Sequence, residues 1–170
     1  MQTLTNLKAR RDREDGFTLI ELMVVVLIIA ILIAIAIPTF LGARSRAQDK
    51  ASQSNVRNGI TAAKTIFTDG QDYADATPAE LLVVEPSLTF QAGTVASTQP
   101  KEVSVFVVDS DAATAGSETL YMVSKSKSGK CWAVKDVQAA SGAGTGYAEV
   151  PSGTACRADA VTGLTFGDSF

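Results

Sequence analysis

The stretch of sequence that decides the fold is Gly16-Phe17-Thr18-Leu19-Ile20-Glu21. It opens a segment of 25 residues, 17–41, in which every residue is apolar except Thr18, Glu21, Pro38 and Thr39. Such a segment would form about 37 Å of helix, which is enough to cross a bilayer. A carboxylate inside it costs about 2.5–3.5 kcal/mol near the membrane centre and less near an end. We therefore expect Glu21 to have a partner.

The residues before Phe17 have the composition of a leader. They carry four basic and three acidic side chains, end in Gly16 and show no apolar periodicity. Cleavage after Gly16 would give Phe17 a free, positively charged α-amino group four residues before Glu21. The sequence therefore predicts a leader over residues 1–16.

The ten residues from Gly16 to Val25 closely resemble the prepilin signal of type IV pilins and pseudopilins. Pro38 also falls where many pilins have a proline, and the resemblance covers residues 1 to about 68. It implies that a prepilin peptidase cuts between Gly16 and Phe17 and methylates the Phe17 nitrogen. It also implies that Phe17, Glu21 and Pro38 act in assembly, with a membrane platform and an ATPase extruding the fibre.

Two other interpretations of the apolar segment explain less. A secretory signal peptide has an apolar core of about 7–15 residues, whereas residues 22–37 are already sixteen consecutive apolar residues. A plain single-pass anchor fits the length, but it explains neither Glu21 nor the junction of Gly16 and Phe17. Basic residues lie on both sides of the segment, so the positive-inside rule does not decide its orientation.

Cys131 and Cys156 are the two cysteines of a chain without histidine. A structural zinc site needs four Cys or His ligands, so this pair alone cannot make one. In a translocated domain the simplest interpretation is one disulfide, which would stabilise the fold by about 3.5 kcal/mol in the chain-entropy model. Two free thiols in a cytosolic domain are the alternative. Resemblance to pilins, many of which close a C-terminal loop this way, favours the disulfide and an external C-terminal domain.

Beyond Pro38 the pattern becomes that of an amphipathic helix. Apolar or small residues recur at steps of three to five, at positions 43, 47, 51, 56, 60, 63 and 67. We predict one helix over about 17–67, kinked or loosened near Pro38 and Gly42. At about 77 Å it is too long for any bilayer, so its second half should pack on a sheet. Asp69-Gly70 should end it.

The remaining sequence predicts a short helix and a small sheet. Thr77-Pro78-Ala79-Glu80 is typical of a helix start, and Pro86 should stop that helix. Strand-like runs follow at 103–108, 119–124, 131–136 and 160–166, separated by Gly-, Ser- and Ala-rich connectors at 111–117, 126–129 and 139–146. Short links between consecutive strands favour antiparallel pairing.

The predicted fold class is therefore α+β and pilin-like. A long N-terminal α-helix, with a membrane-spanning half and an amphipathic half, would lie across an antiparallel sheet of three to four strands. The predicted segments are a prepilin leader (1–16), a transmembrane and assembly helix (17–41), its amphipathic continuation (42–68) and a globular C-terminal domain (69–170). Cys156 would tie the tail to the strand that carries Cys131.

Little in the sequence indicates catalysis. Histidine, the commonest general base, is absent, and we find no nucleophile elbow, phosphate loop or metal-ligand spacing. The aspartates in two loops, at 69, 72 and 75 and at 109 and 111, lack the calcium-loop pattern and are better explained as solvated turn residues. We expect no catalytic residue, no metal, no cofactor and no small-molecule substrate. The protein should not be an enzyme.

Charge and aromatic residues give equally plain predictions. The chain without residues 1–16 has a net charge of −4, so nucleic acid remains a possible partner but is not indicated. The lysines Lys125, Lys127 and Lys130 should form a basic hairpin tip, most simply a soluble turn. The aromatic residues of the predicted strands should lie in the core, namely Phe106, Tyr121, Trp132 and Phe166.

These features together indicate a structural protein, the subunit of a type IV pilus. Once a subunit leaves the bilayer, its apolar helix must be reburied against the same helix of other copies, and a non-closing contact of this kind gives a helical filament. Glu21 of one copy would neutralise the Phe17 amine of a neighbour. The chain would be a single-pass inner-membrane protein before assembly and part of an extracellular pilus afterwards.

Two alternatives remain open. The chain could be a pseudopilin of a type II secretion or DNA-uptake system, or a membrane-anchored binding module that does not polymerise. The sequence does not distinguish adhesion, motility or DNA uptake. Electron conduction is disfavoured, since the predicted helix beyond Phe17 has only Phe40 and Phe67 as aromatic residues.

Overall fold

The computed structural model of the protein describes residues 16–109, 118–138 and 143–170. The predicted leader up to residue 15, the connector 111–117 with Asp111, and the first part of the connector 139–146 lie outside these residues. The helices are α1 (Leu19–Gly70) and α2 (Pro78–Val84), and a 3₁₀ turn spans Ala158–Val161. The strands are β1 (Thr89–Ala92), β2 (Glu102–Asp109), β3 (Glu118–Lys125), β4 (Cys131–Val137) and β5 (Gly144–Val150).

The chain divides into two compact units, one ending at Gly42 and one beginning at Ala43. The first unit holds the N-terminal part of α1, in which every residue from Gly16 to Leu41 is exposed. The second unit holds the remainder of α1, the short helix, the sheet and the C-terminal tail. The second unit contains both apolar cores of the described residues.

The long helix forms as predicted and is longer than predicted. It is uninterrupted at Pro38 and Gly42, where we expected a kink or a loosening. Thr39 donates its hydroxyl hydrogen to the carbonyl oxygen of Ala36 at 2.8 Å, as a helical threonine commonly does. The helix ends at Gly70, and Gln71 takes the left-handed conformation with φ 58° while its N–H donates to the carbonyl oxygen of Phe67 at 2.7 Å.

The sheet has five strands in the order β1-β2-β3-β4-β5. The three central predicted strands are confirmed, and β2, β3, β4 and β5 pair in an antiparallel manner. The first strand pairs in parallel with β2, because the connection over residues 93–101 returns the chain to the end of the sheet at which β1 begins. The α+β fold class with a small, mostly antiparallel sheet is confirmed, although the sheet has five strands where three to four were expected and β1 is parallel to β2.

The predicted strand at 160–166 is wrong. Its first part belongs to the 3₁₀ turn, and the N–H of Leu164 donates to the carbonyl oxygen of Val161 at 3.0 Å. Gly167 makes an isolated bridge with Tyr147. The tail lies across one face of the sheet and, within the described residues, pairs with the edge of β5 only at this bridge, where the N–H of Tyr147 donates to the carbonyl oxygen of Gly167 at 2.7 Å.

The first three residues of the last strand, β5, were predicted as the end of the glycine-rich connector 139–146, and no strand was predicted over the rest. The residues of β5 have a weak propensity for strands. The strand forms because β5 pairs with β4 along the whole length of β4. Gly146 is required there, since a Cβ at this position would lie 2.8 Å from the Cβ of Phe166 in the tail. In the sequence Gly146 suggested a loop, but in the structure its lack of a side chain allows the close contact with Phe166.

The two faces of the sheet bury two separate apolar clusters. The face toward α1 holds the larger one, which includes Val56, Ile60, Ala63, Val105, Met122 and Val134. The opposite face is covered by the tail, with Val123, Ala133 and Val150 packed near Cys156, Ala158 and Val161. The alternation of strand residues between these faces follows the period of two expected for a sheet covered on both sides.

The aromatic residues of the sheet and tail are shared between the two faces. Trp132 is buried, and its ring meets that of Phe170 edge-on at 5.4 Å between centroids. On the opposite face Phe106, Tyr121 and Phe166 are partly buried against the second cluster. The prediction that these side chains belong to the core is therefore confirmed.

Candidate functional site

The candidate site is the N-terminal segment of α1, which begins with a capping box. Thr18 is the residue before the first helical residue, Leu19, and Glu21 is the third residue of the helix. The Glu21 carboxylate accepts hydrogen bonds from the Thr18 hydroxyl at 2.6 Å and from the Thr18 N–H at 2.9 Å. The Glu21 N–H in turn donates to the Thr18 hydroxyl oxygen at 3.3 Å. This reciprocal arrangement satisfies two of the amide donors at the helix start.

The capping box changes the interpretation of Glu21. We predicted that this carboxylate needs a partner, and within one chain Thr18 supplies two hydrogen bonds to it. A carboxylate at a helix N-terminus is also favoured by the helix dipole. Thr18 is a capping residue of the candidate site that our sequence analysis missed, although the Thr-x-x-Glu pattern that predicts the capping box stands in the sequence. The negative charge itself is not neutralised by these neutral donors.

The second feature of the segment is its uncovered apolar surface. The large apolar side chains between Phe17 and Leu41 are 47% to 79% exposed, with Phe17 at the upper limit. By length and composition α1 is apolar enough to span a membrane. An apolar surface of this extent on a soluble monomer would be costly, so it requires lipid or a protein partner.

The structure does not gather the predicted assembly residues into a pocket. Glu21 and Pro38 lie on α1, and Phe17 lies two residues before its start; the separation of 21 positions from Phe17 to Pro38 would correspond to about 31 Å of helix. They mark the two ends of an extended surface. Within the described residues, no group of three His, Cys, Asp or Glu side chains is placed to hold a metal ion.

Gly16 lies just outside the helix and is exposed. A Cβ at this position would meet no other atom within 4 Å, and its backbone has no positive φ. The fold itself therefore does not require glycine at residue 16. If a small residue is required at position 16, that requirement comes from another molecule that acts on the chain and not from the fold.

The two cysteines belong to the second apolar cluster, in which Cys156 is buried and Cys131 is partly buried. Cys131 opens β4 and Cys156 lies in the tail, with their sulfur atoms bonded and their Cα atoms 5.7 Å apart. The carbonyl oxygen of Cys156 accepts a hydrogen bond from the Ser97 N–H at 2.8 Å. The tail is thereby attached both to the sheet and to the loop that follows β1.

A buried polar network holds α1 to the far end of the sheet. The Asp136 carboxylate, which is fully buried, lies 2.8 Å from the Lys64 ammonium and accepts the Tyr73 hydroxyl at 2.6 Å. Gln138 and Thr145 donate to the same carboxylate. Burial alone would raise the pKa of Asp136, but hydrogen bonds from Lys64, Thr145 and Tyr73 outweigh it and keep that pKa below its usual value. Burial and the neighbouring carboxylate raise the pKa of Tyr73.

This network is structural and was not predicted. Its members lie far apart in the sequence and form no short motif, so no local signal could have found them. The aspartates after α1, predicted as turn residues, include Asp72, which accepts the Ala74 N–H at 2.6 Å. That hydrogen bond is the arrangement expected of an aspartate in a turn.

Comparison with known proteins supports the N-terminal resemblance. A family model described as the prokaryotic N-terminal methylation motif matches residues 11–37. The chain is 46% identical over 63 residues to the type IV major pilin protein PilA of Myxococcus xanthus. It is 42% identical over 62 residues to the type IV major fimbrial protein FimA of Dichelobacter nodosus, and 41% identical over 58 residues to the type IV wide pilus major component PilA4 of Thermus thermophilus.

These similarities are local. They cover 34% to 37% of this chain and 29% to 44% of the three relatives, and no solved structure matches the chain significantly. Within that extent, the resemblance to the type IV pilin and pseudopilin family is confirmed by the methylation motif and by relatives named as pilins. The relatives carry the names of structural proteins, which supports a pilus subunit.

Proposed function

We propose that the protein is the structural subunit of a type IV pilus, cut between Gly16 and Phe17 and polymerised through the N-terminal half of α1. The observation that carries this proposal is the exposed apolar segment 17–41 with a single capped carboxylate in its first turn. The same stretch carries the methylation motif. Residues 42–68 would continue the helix, and residues 69–170 would form the external domain.

Processing is the first step of the proposal. A prepilin peptidase would remove residues 1–16 and methylate the new amine of Phe17. Gly16 is exposed and free of neighbours, as a cleavage site must be, and the fold does not need glycine there. Cleavage replaces an amide at Phe17 with a cation, four residues from the Glu21 carboxylate.

Polymerisation would then rebury the apolar surface. Identical helices that meet in a heterologous contact form an open helical filament instead of a closed ring. A carboxylate has about four acceptor sites, so Glu21 can keep its bonds from Thr18 and still accept the Phe17 amine of a neighbour. A wrong stagger would leave both charges buried and unpaired, which is strongly unfavourable. The ion pair would thus select the axial register.

The partners follow from this proposal. They are other copies of the chain, the membrane before assembly, the prepilin peptidase, and indirectly a membrane platform and an ATPase. The chain would be a single-pass inner-membrane protein first and part of an extracellular fibre later. It would act without a cofactor, a metal or a substrate, and not as an enzyme.

The experiment that tests the proposal is electron microscopy of surface fibres from a strain lacking this gene. We expect fibres to disappear and to return when the gene is restored, and sheared fibres to contain a chain that begins with methylated Phe17. Unchanged fibres would refute the proposal. A normal surface accompanied by failed secretion or DNA uptake would favour a pseudopilin, and a processed chain that remains monomeric in the membrane would favour an anchored binding module.

A further inference from the structure

The short helix α2 leaves an apolar surface uncovered. Leu81 is fully buried in the core, whereas the next three residues, Leu82, Val83 and Val84, are 46%, 77% and 42% exposed. Outside the apolar segment 17–41, these residues and Val95 are the exposed large apolar side chains of the described chain. Exposed apolar residues are usually scattered singly, so three in succession indicate a contact surface.

Acidic side chains border this surface. Glu80 precedes it and is exposed, and Glu85 follows it. Val84 and Glu85 also form one wall of a groove, whose other wall consists of Asn58, Thr61, Ala62 and Thr65 of α1. We call Glu80, Leu82, Val83, Val84 and Glu85 the α2 surface. It presents aliphatic groups between two carboxylates.

The hairpin between β3 and β4 presents the opposite chemistry. Its turn, closed by Gly129 with φ 97°, carries Lys125, Lys127 and Lys130, which we call the lysine tip. Lys130 is paired with Glu149 at 2.8 Å. Lys127 is exposed, and among the described residues no hydrogen bond or ion pair occupies its ammonium group. A lysine stem can lie on aliphatic side chains while its ammonium reaches a carboxylate.

The two surfaces lie at different heights along α1. The lysine tip is fixed next to Asp49, whose carboxylate accepts the Ser128 hydroxyl. The groove of the α2 surface lies beside residues 58–65 of the same helix. Along α1, the groove residues lie nine to sixteen positions after Asp49, which corresponds to about 14–24 Å between the lysine tip and the groove. A second copy displaced along the helix axis by such a distance would bring its lysine tip level with the α2 surface of the first.

We propose that the α2 surface of one copy binds the lysine tip of the next copy in the filament. This proposal rests on the proposed function and adds a second contact to the one made by the apolar helices. The occupant is another copy because both complementary surfaces stand on the same chain and are offset in the direction of a non-closing, head-to-tail repeat. One exposed ion pair contributes little, but this contact recurs at every subunit.

Cysteine cross-linking in whole fibres tests the contact directly. The full chain carrying both Val83→Cys and Lys127→Cys is assembled, treated with a short bismaleimide and separated under reducing conditions. We expect a ladder of covalent multimers, because each copy would be joined to the next. Each single variant should give no ladder, and neither should Val83→Cys with Thr162→Cys, since Thr162 is exposed beyond the 3₁₀ turn on the other face of the sheet.

The outcomes separate the two proposals. Fibres of the double variant that yield no ladder, or a ladder equally strong in the Thr162 control, would overturn the α2 contact and leave the filament intact. If the unsubstituted chain makes no fibres, the proposed function and this contact both fail.

Charge exchange is the second test. Lys127→Glu and Glu80→Lys should each lower the yield of sheared fibres several-fold at low salt, and the two together should restore it. Glu80→Gln controls for the loss of an acidic residue in the first turn of α2. If the combined variant yields no more fibres than the single variant with the lower yield, the proposal is contradicted.

Discussion

The two units of this protein are specified by different kinds of information. Every described residue of the segment 17–41 is exposed, and the side-chain hydrogen bonds described within it join residues three or four positions apart. From Ala43 onward the fold also depends on contacts between distant residues, such as Lys64 with Asp136, which lie 72 positions apart. An exposed apolar helix can therefore be predicted from local sequence, whereas the distant contacts that join the elements of the second unit cannot.

Blocking the processing site should have the largest effect on the first unit. Gly16→Leu introduces a side chain that the fold can accept, because nothing lies within 4 Å of its Cβ. We therefore expect a folded chain that keeps its leader and fails to assemble. Intact mass of the membrane fraction and fibre counts measure this, with Gly16→Ala as the matched small substitution. A mature chain that still begins at Phe17 in Gly16→Leu would remove the peptidase from the proposal.

Removing the Glu21 carboxylate should abolish fibres without changing the fold or stability of the second unit. Glu21→Val should insert into the membrane at least as well as the natural chain, since it removes a charge penalty. The Phe17 amines of the filament would then lack a counter-charge, so fibres should be lost or much reduced. Fibre counts at equal subunit levels measure the effect. The disulfide and the melting temperature of the second unit should be unchanged.

A matched variant separates charge from capping. Glu21→Gln can keep the hydrogen bonds to Thr18 but carries no charge. We expect it to lose fibres as Glu21→Val does. If Glu21→Gln assembles normally, the capping box and not the ion pair is what assembly needs.

Opening the disulfide should weaken the second unit and leave the helix surface of the first unchanged. Cys131→Ser should lower the free energy of unfolding by about 3.5 kcal/mol, the loop-closure contribution of a 25-residue separation. Urea denaturation and protease sensitivity of the full chain in detergent measure this, and Cys156→Ser should behave alike. Peptide mapping without reductant should find one linked pair. Two free thiols under oxidising conditions would contradict the pairing.

The smallest effect should come from the buried network. Lys64→Met leaves Asp136 buried without its cation and should cost about 1–2 kcal/mol, less than a fully buried pair because Lys64 is 43% exposed. Urea denaturation of the full chain in detergent at neutral pH measures this cost. Lys64→Arg keeps the charge and serves as the control. An unchanged free energy of unfolding in Lys64→Met would mean that the pair contributes nothing.

The pH dependence of unfolding tests the same network. Because the pKa of Asp136 is lowered on folding, its contribution is complete above the unfolded value of about 3.9 and is lost as pH falls through the folded value. Lys64→Met should raise that folded pKa and move the loss of stability to higher pH. Urea denaturation between pH 2 and 7 measures it. Asp136→Asn should flatten this part of the profile, and an unchanged profile would show that Asp136 does not couple to folding.

Local signals predicted the helices well. The apolar run and the alanine-rich stripe predicted α1, and the Thr77-Pro78 start predicted α2, where the Glu80 N–H donates to the Thr77 hydroxyl at 3.3 Å. Both depend on residues within four positions of each other. The Thr18–Glu21 box was equally local, and we missed it because the charge of Glu21 was interpreted only through a partner outside the chain.

Sheet edges and tail could not be predicted in the same way. The first strand, Thr89–Ala92, has four residues and forms because β2 offers it a parallel edge. The segment 160–166 has strand-like residues but packs on one face of the sheet, and in the part of the chain that the structure describes the tail bridges the outer strand β5 only at Gly167. In both cases the deciding factor was a neighbour contributed by another part of the chain, which a sequence pattern does not contain. The network around Asp136 was unpredictable for the same reason.

One glycine gives the second unit a mechanical property. Gly59 lies within the C-terminal part of α1, where glycine costs about 1 kcal/mol relative to alanine, and a Cβ there would lie 2.9 Å from the sulfur of Met122. The absence of a side chain at Gly59 thus leaves space on the helix for the Met122 side chain of β3. If α1 moved lengthwise by one turn, Asn55 or Ala63 would lie over Met122. The side chain of either residue would then clash with Met122 unless the helix moved away from the sheet. The Gly59–Met122 contact should therefore oppose lengthwise displacement of α1 on the sheet when the helix is under tension.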